Sequence, residues 1–142
     1  MGRLNIISRC QALYRAEQFP SDDLKPSHHT LILNIAREPG LSQDQIAKRV
    51  CLNKSGVARG LNYLEEHGYV TRLQSETDKR VIQVYPTDKL MEVLPRIKEI
   101  GRAWNESLSA DFSDEEMDIF LDVLARMATR AKELVGQTER EE

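Results

Sequence analysis

The chain has only two cysteines in 142 residues, Cys10 and Cys51, and their spacing matches no zinc or redox pair. In a reducing compartment both stay thiols. No apolar run approaches the roughly 18 residues that a membrane helix needs, and the N-terminus carries no signal-peptide pattern. The expectation is a cytoplasmic protein with no membrane partner. Enzyme signatures are missing too: no nucleophile stands with a base at motif spacing, no glycine-rich loop cradles phosphate, and there is no metal cluster. The chain therefore reads as a non-enzyme without a cofactor. A net charge of −3 argues against indiscriminate nucleic-acid binding if that charge is evenly spread.

It is not evenly spread. Between Lys48 and Arg80 seven bases (Lys48, Arg49, Lys54, Arg59, Arg72, Lys79, Arg80) face four acids (Glu65, Glu66, Glu76, Asp78), whereas from Asp111 onward ten acids face four bases. Positive charge is concentrated where a phosphate-binding surface would need it, and the acidic end is expected to point away. With 40% apolar and 30% charged residues, the whole has the composition of one ordinary soluble domain.

The basic stretch also carries the clearest structural signals. Ser42 and Gln45 form a capping box, and Ile46, Ala47 and Val50 define a buried stripe on the helix that follows. Cys51 to Asn53 read as a turn, with Asn53 capping a second helix. In that helix Val57, Leu61 and Leu64 share one face, which leaves Ser55, Arg59, Asn62 and Glu66 on the other. An arginine pairs bidentately with guanine and an asparagine with adenine, so Ser55, Arg59 and Asn62 are candidate base readers. Lys54, at the helix start, is placed to meet a phosphate. Gly56 and Gly60 leave a smooth strip suited to close approach of DNA or of a packed neighbour. Gly68 stops the helix, and Tyr69 to Thr71 and Val81 to Tyr85 read as a two-stranded ribbon closed by Pro86. Its tip, Gln74 to Lys79, is polar. Asp78 is placed to bond its own turn backbone, and Lys79 and Arg80 become candidate contacts to phosphate or the minor groove. The class that results is mainly α with a small β-wing, a winged helix-turn-helix.

On either side the chain reads as helix. Leu4, Ile7, Cys10, Leu13 and Tyr14 lie at helical spacing, and the run from Phe19 to Asp23 breaks that helix. Pro26 opens the next, through Leu31, Leu33, Ile35 and Ala36 to Pro39-Gly40, with His28 and His29 read as surface or interface histidines. A long helix from Asp88 to Leu108 contains Pro95, which should kink it or mark a start one turn later. Ser113 and Glu116 cap a last helix whose apolar stripe runs Met117, Phe120, Leu121, Leu124, Met127, Ala128, Ala131, Leu134 and Val135. One small domain cannot cover a stripe that long, and a second copy is the simplest partner.

Leu24 and Pro26, Gly40 to Gln43, Lys54, Ser55 and Val57, Leu64 to Val70 with Glu65 and Gly68, and Asp78 with Arg80 occur in an order and spacing that resembles the MarR family of bacterial transcriptional regulators. The resemblance implies a single domain over 1–142: a winged unit at 24–87, dimerisation helices at 1–18 and 88–136, and a frayed tail at 137–142. It also implies a homodimer that binds a pseudo-palindromic operator in double-stranded DNA and regulates transcription, most often by repression. A winged-helix protein-interaction module without operator binding is the alternative. Family members bind small aromatic or anionic effectors between the dimer helices and the winged unit, which implies a pocket near Tyr14, His28, His29 and Trp104. Cys10, in Cys-x-Ala-Leu-Tyr, is similar to the sensing cysteine of the hydroperoxide-responsive branch, although that branch's paired tyrosines are missing near Pro26 to Thr30. Cys51 stands where the family commonly has Gly or Asn.

Overall fold

Residues 2–19 and 23–136 are described by a computed structural model. The tail at 137–142 and most of the breaker after Phe19 lie outside these residues. Among them are six helices, α1 (Gly2–Gln18), α2 (Pro26–Arg37), α3 (Gln43–Val50), α4 (Lys54–Glu66), α5 (Asp88–Ser109) and α6 (Asp114–Leu134), and three strands, β1 (Leu41–Ser42), β2 (Val70–Gln74) and β3 (Ile82–Pro86). The strands form one antiparallel sheet in the order β1-β3-β2.

The expected ribbon is therefore three-stranded. Leu41 pairs with Val84 and Ser42 with Gln83, while Gly40, at a φ of 91°, donates its N–H to the Val84 carbonyl at 2.8 Å. A two-residue strand shows no alternation, so periodicity alone does not reveal it.

The core gathers around α2. Ile32 and Ile35 are fully buried there, against Ile46 of α3, Val57, Leu61 and Leu64 of α4, Val84 of β3, and Leu90, Leu94 and Ile97 of α5. His28 and His29 are buried too, which corrects their reading as surface residues. At 100° per residue His28 lies on the same face as Leu31, Ile32 and Ile35, and His29 on the same face as Ile32, so burying the apolar stripe takes both rings inward.

The local signals explain most boundaries. Ser42 Oγ accepts from the Gln45 N–H at 3.2 Å, and Gln45 Oε1 accepts from the Ser42 N–H at 2.8 Å. Ser113 and Glu116 repeat the arrangement at the start of α6. Helix α5 begins at Asp88 because the Thr87 hydroxyl accepts from the Leu90 N–H, while itself donating to the Gly68 and Tyr69 carbonyls at 2.6 and 3.0 Å. Pro95 neither delays nor ends the helix. Pro95 and Met91 are both exposed, so solvent rather than core meets the carbonyl that proline leaves unbonded. Cys51 ends α3 in the left-handed region, at a φ of 52°, a conformation that costs a residue with a Cβ roughly 1 kcal/mol.

Half of α5 belongs to the winged core, but α1 and α6 bury no residue within the chain. Leu4, Ile6, Ile7 and Leu13 are exposed on α1, and Ile119, Phe120, Leu121 and Met127 on α6. That much apolar surface on two helices is what an unformed interface looks like.

Candidate nucleic-acid interface

Helix α4 projects from this core with its outward face free. Asn53 Oδ1 caps it by accepting from the Gly56 N–H at 2.6 Å and from the Ser55 hydroxyl at 3.0 Å. A Cβ on Gly56 would lie 2.9 Å from that oxygen, and one on Gly60 would lie 2.5 Å from Leu31 Cδ1. The two glycines thus serve the cap and the contact with α2, the packed-neighbour side of the earlier alternative. With Val57, Leu61 and Leu64 buried, Ser55, Arg59, Asn62 and Glu66 are exposed. Arg59 and Asn62 make no side-chain hydrogen bond or ion pair to any described residue, so their donors and acceptors are available to an incoming partner.

Lys54 and Ser55 differ from these two. The Ser55 hydroxyl is engaged by Asn53, and Lys54 Nζ sits 2.9 Å from Asp44 Oδ2 in the first turn of α3. Both Lys54 and Asp44 remain well exposed.

The wing is held at both ends. At its tip Asp78 Oδ1 accepts from the Arg80 N–H at 3.0 Å and from Arg80 Nε at 3.3 Å. The buried Ser75 supplies the other half: its Oγ accepts from the Thr77 and Asp78 N–H groups, and its own N–H donates to the Val81 carbonyl. Lys79 and Arg80 are exposed on this turn, with the Arg80 side chain 92% accessible.

At its base, Arg72 straps β2 to α4. Its Nε and Nη2 donate to Glu65 Oε2 at 3.0 and 2.6 Å, and its backbone N–H donates to Oε1 at 3.2 Å. The hydrogen bonds from Arg72 hold the Glu65 carboxyl below the usual range. The sequence pattern does not reveal this strut: it counts Arg72 and Glu65 among the charges of the basic stretch and places Glu65 in the Leu64 to Val70 motif, without pairing them. Nor does it single out Ser75 and Asp44. Lys89 adds a third tie, donating to the His67 carbonyl at 2.8 Å and lying 4.3 Å from the Tyr69 ring centroid.

The four residues expected to line one pocket fall into three neighbourhoods. Tyr14 and Trp104 meet where α1 crosses α5, ring centroids 5.3 Å apart. His29 faces the edge of Phe19 at 5.3 Å, both ring nitrogens lack a partner, and burial pushes its pKa down to about 4, helped by Arg15 and His28. His28 instead stacks on Tyr63 at 4.6 Å, and Tyr63 on His67 at 3.9 Å, in a column that ties α2 to the end of α4. His28 Nδ1 accepts from the Lys25 N–H; burial lowers its pKa, with Lys25 and His67 adding to the effect. Cys10 is exposed on α1. No group of three or more potential metal ligands exists among the described residues, and no described helix is long and apolar enough to cross a membrane.

A capped helix pair packed on a third helix, with a three-stranded sheet and a projecting hairpin, is a winged helix-turn-helix domain. Residues 22–81 match the model of the MarR family. The chain is 26% identical to the uncharacterized HTH-type transcriptional regulator YybA of Bacillus subtilis over 127 residues, 89% of this chain and 85% of YybA. Three other curated regulators are matched over 53 to 64% of their length. Among solved structures, the crystal structure of MarR superposes with a TM-score of 0.82 at 29% identity, covering 96% of this chain and 93% of that one. Streptococcus pneumoniae FabT in complex with DNA superposes with a TM-score of 0.75 at 23% identity, covering 92% and 93%. The chain belongs to the MarR family of winged helix-turn-helix transcriptional regulators.

Proposed function

We propose that this chain is a sequence-selective DNA-binding repressor that acts as a homodimer on a pseudo-palindromic operator. The observation that carries the reading is the outward face of α4, where Arg59 and Asn62 stand exposed with no side-chain partner among the described residues. Donors of that kind on a helix of this fold suit the major groove. The wing presents Lys79 and Arg80 as exposed cations, which suit a phosphate or minor-groove contact. Family membership supports the same reading, as does the DNA complex of the related FabT. Dimerisation draws on the uncovered apolar faces of α1 and α6. A two-fold pair would set its recognition helices roughly 34–36 Å apart, in successive major grooves. A small-molecule effector would act where α1 meets α5, at the Tyr14–Trp104 pair.

The test is a pair of variants measured on a bound sequence and on its base-substituted forms. Arg59→Ala should lose about 1–3 kcal/mol and relax preference at one base pair. Lys54→Ala should weaken all sequences alike. Unchanged affinity and selectivity in Arg59→Ala would refute the assignment of the reading face.

A further inference from the structure

Every duplex offers phosphates, so the phosphate-facing cations of a DNA-binding surface set its attraction to DNA of any sequence. On this surface those cations are not equally free. The Lys79 side chain has no partner among the described residues, Arg80 Nε lies 3.3 Å from Asp78 Oδ1 within its own turn, and the Lys54 ammonium is held 2.9 Å from Asp44 Oδ2 on another helix. The pair bridges the first turns of α3 and α4, the two helices of the helix-turn-helix, and it stays open to solvent, the side chains being 59% and 74% accessible. The pair lies outside the core: the buried residues of α3 are Ile46 and Ala47, and those of α4 are Val57, Leu61 and Leu64. Asp44 is therefore a carboxylate standing beside the start of α4, with its partner the first residue of that helix.

We propose that Asp44 is a positioning residue of the DNA interface. It keeps Lys54 on the protein until a phosphate replaces the carboxylate, and this exchange makes attraction to any duplex weaker and less salt-dependent than the number of basic residues implies. The inference rests on the DNA-binding reading above and concerns the regulation of that same surface. In its terms, the wild-type chain draws less than a full phosphate contact from Lys54 on binding, because one exposed ion pair is given up as another forms. An uncharged residue at position 44 removes the competitor and lets Lys54 contribute a full counterion-releasing contact, worth a slope of about −0.9 in log affinity against log salt. Exposed ion pairs couple weakly, which puts the gain in affinity at low salt at roughly 1.5- to fivefold.

The experiment measures binding of full-length wild type, Asp44→Asn, Asp44→Glu, Lys54→Ala and the Asp44→Asn/Lys54→Ala double variant. The probe is a random-sequence duplex long enough for two half-sites, titrated from about 50 to 200 mM salt. Asp44→Asn is expected to bind more tightly at low salt with a steeper slope, Asp44→Glu to restore wild-type behaviour, and the double variant to match Lys54→Ala. A merely structural role for Asp44 would lower thermal stability and affinity together and leave the slope unchanged. Wild-type binding with an unchanged slope in Asp44→Asn overturns the proposal alone, as does a gain that persists undiminished when Lys54 is absent. Failure of the wild-type chain to bind any duplex overturns both this proposal and the function it rests on.

Discussion

Replacing His29 by leucine should flatten the acid side of the stability curve. The ring is 1% exposed, neither nitrogen has a hydrogen-bond partner among the described residues, and its surroundings include Phe19, the Arg15 guanidinium and His28. Burial, then repulsion from Arg15 and His28, lowers its pKa to about 4 in the folded chain, whereas an unfolded histidine titrates near ~6.5. Between those two values the unfolded chain takes up a proton that the folded chain refuses. The stability of the neutral buried ring is therefore intact above ~6.5, falls as pH drops through the window, and levels off below about 4. At about 1.36 kcal/mol per unit the whole window is worth at most about 3 to 4 kcal/mol. In His29→Leu that dependence disappears, and at neutral pH the variant should match or exceed wild type by about 1 kcal/mol because two unpaired polar atoms have left the interior. Urea unfolding at a series of pH values from neutral down to about 4 reads the difference directly. Parallel curves for wild type and His29→Leu would rule out a neutral, unpaired buried ring, since they would mean that it is already hydrated or hydrogen-bonded in the folded protein.

Other variants test other joints. Gly60→Ala should be net destabilising by about 1 kcal/mol in denaturant titrations, because the added Cβ meets Leu31, itself buried, and overpacking outweighs the helix-propensity gain; a gain of about 1 kcal/mol would show that the α2–α4 contact is soft. Cys51→Gly relieves a left-handed residue at a φ of 52° and should raise the thermal midpoint, by under about 1 kcal/mol in stability terms; a lowered midpoint would place the value of Cys51 in its side chain. Changing Leu121 and Leu124 of α6 together to Asp should convert a dimer to a monomer in sedimentation at micromolar protein, and a dimer that survives would move the interface elsewhere.

The winged unit was legible because its signals are local. The Ser42 and Asn53 caps, the 3–4 spacing of Val57, Leu61 and Leu64, and the stop at Gly68 each act within one turn of chain, and the structure places them accordingly. What escaped depends on distance along the sequence. Asp44 reaches Lys54 across ten residues and Arg72 reaches Glu65 across seven, beyond the i,i+4 range within which charges can be paired by inspection. Strand β1 pairs with residues more than forty positions away. His28 and His29 were misplaced because residue type was allowed to outweigh helical phase. The expected pocket dispersed for a related reason: Tyr14, His28, His29 and Trp104 share a region of the fold, but their helices turn them toward different neighbours.

If α4 and the wing read DNA sequence as a two-fold pair, selection of bound duplexes from a random pool will show it. Enrichment is expected of an inverted repeat whose half-site centres lie about one helical turn, roughly 10 base pairs, apart, with the preference at one position in each half lost in Arg59→Ala. A pool that emerges without any shared sequence, or with none retained at all, would contradict it.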